Sequence, residues 1–106
     1  MTHIEQGRNE FETGRWSKAY RLFQQALHEN EGSVRDRQEA RLLMARCLAQ
    51  LGEPEKAEAE LKGVKPALSP EDNALLEQFE VAYQEVEDTK RLTRTELEER
   101  RRARDN

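Results

Sequence analysis

Apolar residues recur along this chain at spacings of three and four, and the polar residues between them carry the signals that start and stop helices. Tyr20, Phe23, Ala26 and Leu27 form one stripe, and Leu42, Leu43, Met44, Cys47, Leu48 and Leu51 a second, broader one. Leu75, Leu76, Phe79, Ala82, Tyr83 and Val86 form a third. Thr2 with Glu5 and Ser33 with Asp36 each set a hydroxyl three residues ahead of an acid, so the two side chains satisfy free backbone donors reciprocally and open a helix. The first helix is expected to run to about Thr13, with Gly14 turning the chain into a second helix over about Trp16–Glu29. A third helix starts at Ser33 and ends at Gly52, and the breadth of its stripe implies burial on two sides. Pro54, which needs no donor in a first turn, opens a fourth helix with Ala57, Leu61 and Val64 on its inner face, closed by Pro66. Ser69, Pro70 and Asp72 combine a cap, a first-turn proline and an acid, and predict a fifth helix from residue 69, whose apolar face runs through about Val86 while the helix itself need not end there.

These elements repeat. At an offset of 38 residues, Gly7, Gly14, Trp16, Ala19, Phe23 and Ala26 fall on Ala45, Gly52, Pro54, Ala57, Leu61 and Val64, small on small and mostly large on large. Each unit is a pair of short helices that cannot bury its apolar face alone, so the units must stack. The series in GRNEFETGRWSKAYRLFQQAL, with Gly7, Gly14, Trp16, Ala19, Phe23, Ala26 and Leu27, resembles the tetratricopeptide motif of small residue, Gly, aromatic, Ala, aromatic, Ala. The second copy, ARCLAQLGEPEKAEAELKGVKP, keeps Ala45, Gly52 and Ala57 but has Pro54, Leu61 and Val64 where aromatics or Ala are usual. The family period is about 34 residues, so roughly four extra residues are placed around 28–38, where Asn30, Gly32 and Ser33 stand. The resemblance covers about residues 3–66, and a third complete copy is not visible.

The resemblance implies an all-α, right-handed stack of two helical hairpins with a long C-terminal helix, a short α-solenoid. Residues 1–87 are expected to form the domain: repeat one about 2–30, repeat two about 34–66, and a capping helix from 69. Residues 88–106 hold seven basic against five acidic residues, with no Gly or Pro to stop a helix, and are read as a charged, exposed helical extension.

Composition narrows the function classes. Of 106 residues, 35% are hydrophobic and 38% charged, which suits a thin-cored, elongated helical array. A net charge of −4 argues against nonspecific nucleic-acid binding, which needs a basic stripe. The single cysteine, Cys47, allows no intramolecular disulfide and lies within the apolar stripe, so an inert core thiol in a reducing, cytoplasmic setting is expected. No run of about 18 apolar residues suggests a membrane span, and MTHIEQGRNE lacks the basic start and apolar centre of a signal peptide.

Candidate chemistry is sparse. His3 and His28 lie in different segments with no Cys, Asp or Glu at ligand or triad spacing, so both are read as surface residues. The acidic pairs Glu53/Glu55, Glu58/Glu60 and Glu71/Asp72 are read as solvated helix faces, and no Gly-rich phosphate loop exists. Trp16 is read as the ring that locks the first hairpin, and Arg100, Arg101, Arg102 and Arg104 as a solvated tail. No enzyme, cofactor or metal is therefore expected.

In the family this chain resembles, the first helix of each hairpin lines a groove that holds a partner's peptide or helix. Carried over through the Gly14/Gly52 register, the peptide-binding residues are Ile4, Arg8 and Phe11 in the first copy and Leu42, Arg46 and Ala49 in the second. Two arginines in an apolar groove favour an acidic partner segment, held bidentately; the same arginines can equally pair with neighbouring helix acids. Relatives that bind acidic chaperone tails use a Lys and two Asn, and the matching places here are Ile4, Arg8 and Leu43, so that clamp is absent. The reading is a scaffold or adaptor that binds another protein. The alternative is self-association through the C-terminal helix, giving a homo-oligomer.

Overall fold

The computed structural model describes residues 1–104 and is built of helices: α1 (His3–Glu12), α2 (Trp16–His28), α3 (Val34–Gln50), α4 (Pro54–Val64), a 3-10 turn (Lys65–Ala67), α5 (Asn73–Lys90) and α6 (Arg94–Arg102). Thr2 and Ser33 make the expected capping boxes with Glu5 and Asp36, and Pro54 sits in the first turn of α4. α1 packs on α2 and α3 on α4 as hairpins; α3 also packs on α2 and α5, and α5 on α4.

The core has two parts that meet on α3. Ala19 and Phe23 of α2 pack with Ala40, Met44 and Cys47, half-buried Phe11 and Trp16 closing one edge. On its other side α3 gives Leu42, Ala45, Leu48 and Ala49 to a cluster with Ala57, Leu61 and Val64 of α4 and Leu75, Phe79, Ala82 and Val86 of α5. This is the two-sided burial that its broad stripe predicts. The extra length between the repeats is mostly helix, α3 having 17 residues where α1 has 10, and the intervening loop spans only residues 29–33.

The repeat also explains itself in volume. Gly7 is buried against Phe23, and a Cβ there would lie 2.6 Å from the ring's Cε1. The second copy has Ala45 with the smaller Leu61 at these places, both buried. A further shift of the register brings Tyr83, Lys90, Thr95 and Glu99 onto the positions of Gly7/Ala45, Gly14/Gly52, Ala19/Ala57 and Phe23/Leu61. A tyrosine, half-exposed and stacked on Phe79, fills the place where a paired helix needs a small residue, and α6 offers no apolar inner face. The third hairpin does not form.

Two boundaries differ from the sequence reading. α5 begins at Asn73, not 69, because Asp72 serves as the cap, its Oδ1 accepting the Leu75 N–H at 3.1 Å, while the Ser69 hydroxyl turns to Glu71. The charged extension is not one exposed helix: the chain breaks at 91–93 and restarts as α6, capped by a Thr93/Glu96 box. Leu92 and Leu97, both half-buried, occupy the staple positions before and after that cap. A capping box stops and restarts a helix without Gly or Pro, since it supplies the free donors with partners. α6 then folds across the Gly52 turn, where φ is +79° and a Cβ would lie 2.6 Å from the Leu97 carbonyl oxygen.

The arginine tail is accordingly engaged. Arg100 Nη1 donates to the Ala49 carbonyl at 2.9 Å, and Arg101 Nε to the Gly52 carbonyl at 2.9 Å and to Glu53 at 3.0 Å. Arg104 reaches Glu53 at 3.6 Å. These cations sit where α3 ends and its last carbonyls lack helical partners, a favourable place for positive charge. Residues 105 and 106 of the expected extension lie outside the described residues.

Candidate functional site

The inner face is formed by α1, α3 and α5, the helices that begin each unit. Along α3 the residues at positions 35, 39, 43, 46 and 50 share one side, as three- and four-residue spacing requires. They carry a polar ladder across to both neighbours. Glu39 accepts from Arg35 at 2.9 Å and from Gln78 of α5 at 3.0 Å, and Arg8 of α1 approaches it at 3.7 Å. Arg35 also holds Asp72 in a fork, Nε at 2.6 Å and Nη2 at 3.1 Å. That guanidinium, with the Leu75 N–H as the second cause, lowers the Asp72 carboxyl below its usual range. Further along, Arg46 pairs with Glu85, which also takes the Gln50 amide at 3.4 Å, and Arg46 lies over the Phe11 ring at 4.9 Å. Phe11 meets Trp16 edge-on at 5.1 Å, so the ring expected to lock the first hairpin does so through Phe11.

Between α3 and α5 lies an open cavity of about 350 Å³, lined by Leu42, Leu43, Arg46, Ala74, Glu77, Gln78 and Val81. Its α5 rim continues into a shallow surface of Asn73, Leu76, Glu77 and Glu80, with Val81 50% exposed. A smaller cavity of about 150 Å³ separates α4 from α5, with Leu61, Phe79, Tyr83 and Val86 at its base and Lys62 and Lys65 at its edge. It lies beside the place a third hairpin would occupy.

Of the six residues assigned to the groove, Arg8, Phe11 and Arg46 lie half-exposed on this face. Ile4, Leu42 and Ala49 are buried, at 5%, 1% and 0% exposure. Leu42 only floors the cavity, and the Ala49 carbonyl is covered by Arg100. The side chains that offer apolar surface are Leu43, Ala74 and Val81. Spacing missed the α5 pair because that helix was read as a cap with a polar outside. Val81 off the Leu75–Phe79–Ala82–Val86 face was the available signal.

One further sequence reading changes. Cys47 is buried, as expected. His3, however, is not isolated: its Nδ1 lies 2.8 Å from Glu31 Oε2 and 3.3 Å from Glu29 Oε2, acids brought from the far end of the hairpin. Local spacing could not show this. His28 is exposed at the end of α2.

A stack of helical hairpins with an inner face formed by the first helix of each unit and two open clefts between helices defines a helical-repeat fold. The sequence model of the tetratricopeptide repeat family matches residues 10–78, and the chain belongs to that family. Comparisons with curated proteins and with solved structures returned no match. Tetratricopeptide repeats mediate protein–protein interactions and are typically not catalytic. Among the described residues, no helix is long and apolar enough to cross a membrane.

Proposed function

We propose that this protein is a scaffold or adaptor that holds a peptide or helix of another protein in the cleft between α3 and α5. The observation that carries the reading is the apolar surface of exposed Ala74 and Val81 and half-buried Leu43 beside a cavity large enough for a side-chain anchor. Arg46 and Glu77 border it with opposite charges, which orient a bound segment more than they strengthen it. An acidic partner segment competes with Glu85 for Arg46 and with the looser Glu39 contact for Arg8, so apolar anchoring comes first and carboxylate capture second. A cytoplasmic setting is part of the same proposal, on the ground that the chain's single cysteine, Cys47, is buried in the core.

The test is a peptide-library capture with the wild type, an Ala74→Lys/Val81→Lys variant and an Arg8→Glu/Arg46→Glu variant. Both changed positions on α5 are exposed, so the first variant keeps its helical signal and loses the captured peptides. Retention of the same peptides by that variant overturns the cleft reading. Loss in the arginine variant identifies an acidic ligand. Self-association is read from the mass in solution: the cleft reading expects a monomer, and a dimer that becomes monomeric on removal of α6 replaces it.

A further inference from the structure

The start of α1 and the loop after α2 place three metal-ligating side chains around one point. His3 Nδ1, a Glu29 oxygen and a Glu31 oxygen all lie within 4.8 Å of one another, the one such convergence among the described residues. The acids reach it because Asn30 between them takes a positive φ of 52°, which turns the loop back on α1. Nδ1 carries at most one proton and so serves one carboxylate at a time. Two carboxylates aimed at the same nitrogen leave a negative site that a cation of higher charge would satisfy completely. Glu31 is already oriented: its Oε1 accepts the Ile4 N–H at 3.0 Å while its Oε2 faces His3.

We propose that His3, Glu29 and Glu31 bind one divalent transition-metal ion of the zinc type, clipping the first turn of α1 to the α2–α3 loop. Imidazole nitrogen with carboxylate oxygen suits zinc, copper, nickel or iron(II), whereas calcium and magnesium want oxygen alone. Ligand bonds of about 2.0–2.2 Å put tetrahedral donors roughly 3.4 Å apart. Glu29 stands at that distance from the imidazole, and Glu31 needs to move back by roughly half an ångström. Glu31 uses its second oxygen on the Ile4 N–H, the kind of outer contact that fixes a ligand's orientation. Side-chain exposures of 29% for His3 and 46% for Glu29 leave the remaining coordination to water.

The experiment titrates the intact protein with zinc chloride, following melting temperature and, with Co²⁺ in its place, visible absorption. One ion binds per chain, and at tenfold excess over Kd the Tm rises by about 5 °C or more; Mg²⁺ and Ca²⁺ give no rise. His3→Ala and Glu29→Gln each remove the rise, and His28→Ala keeps it. Should His3→Ala unfold the chain, Glu29→Gln decides, since Glu29 lies on the exposed loop. Absence of a zinc-dependent rise, a rise that persists in Glu29→Gln, or one lost with His28 overturns the site.

Discussion

Replacing Gly7 with alanine places a methyl group 2.6 Å from Cε1 and 2.8 Å from Cδ1 of Phe23, a ring with no exposed surface into which to retreat. Two opposed effects follow. Alanine within a helix gains about 0.5–1 kcal/mol over glycine. Overpacking a filled core costs about 1–3 kcal/mol. The clash is against a ring held on all sides, so the second effect wins and the variant is destabilised by up to about 2 kcal/mol. The second repeat shows the relief: Ala45 lies opposite Leu61, not phenylalanine. In a Phe23→Leu background, Gly7→Ala therefore changes sign and stabilises by up to about 1 kcal/mol. Urea denaturation of the wild type, both single variants and the double variant measures the coupling directly. A value of about 1–3 kcal/mol is expected, within the range for residues in contact. If Gly7→Ala has the same effect in both backgrounds, to within about 0.5 kcal/mol, the small-against-large pairing at the hairpin crossing is wrong.

Gly52→Ala suffers both a positive φ and a collision with the Leu97 carbonyl, so it destabilises by more than Gly14→Ala, which meets only Trp16 at 3.8 Å; proteolysis should also reach α6 sooner in the Gly52 variant alone. Truncation after Arg91 leaves a cooperative domain, because no residue of α6 is buried, and the lost circular-dichroism signal should match that helix and no more. Asp72→Asn keeps a capping side chain but removes the ion pair with Arg35. The folded Asp72 carboxyl is lowered, so its stabilisation is present above the unfolded pKa, about 3.9, and is lost as pH falls through the folded value. The denaturation midpoint of Asp72→Asn should therefore fall less steeply than that of wild type between about pH 4 and 2, and equal slopes would remove Asp72 from the account.

What the sequence determined by itself is local. The boxes at Thr2/Glu5 and Ser33/Asp36, the turn glycines, Pro54 and the paired small residues act over a few positions, and the hairpins they predict are the hairpins present. The tetratricopeptide register follows from the same residues. Even the break before α6 was written locally, in Thr93 and Glu96, though the absence of Gly and Pro hid it. Tertiary structure decided everything that joins distant segments. It buried Ile4 beside the loop of Glu31 and Gly32, and Leu42 and Ala49 in the core that α3 shares with α4 and α5. It chose Glu39 and Glu85 as partners for Arg8 and Arg46, and brought Glu29 and Glu31 to His3. Helical periodicity says which side of a helix a residue takes; only packing says which neighbour covers that side, because that depends on the crossing of elements remote in the chain.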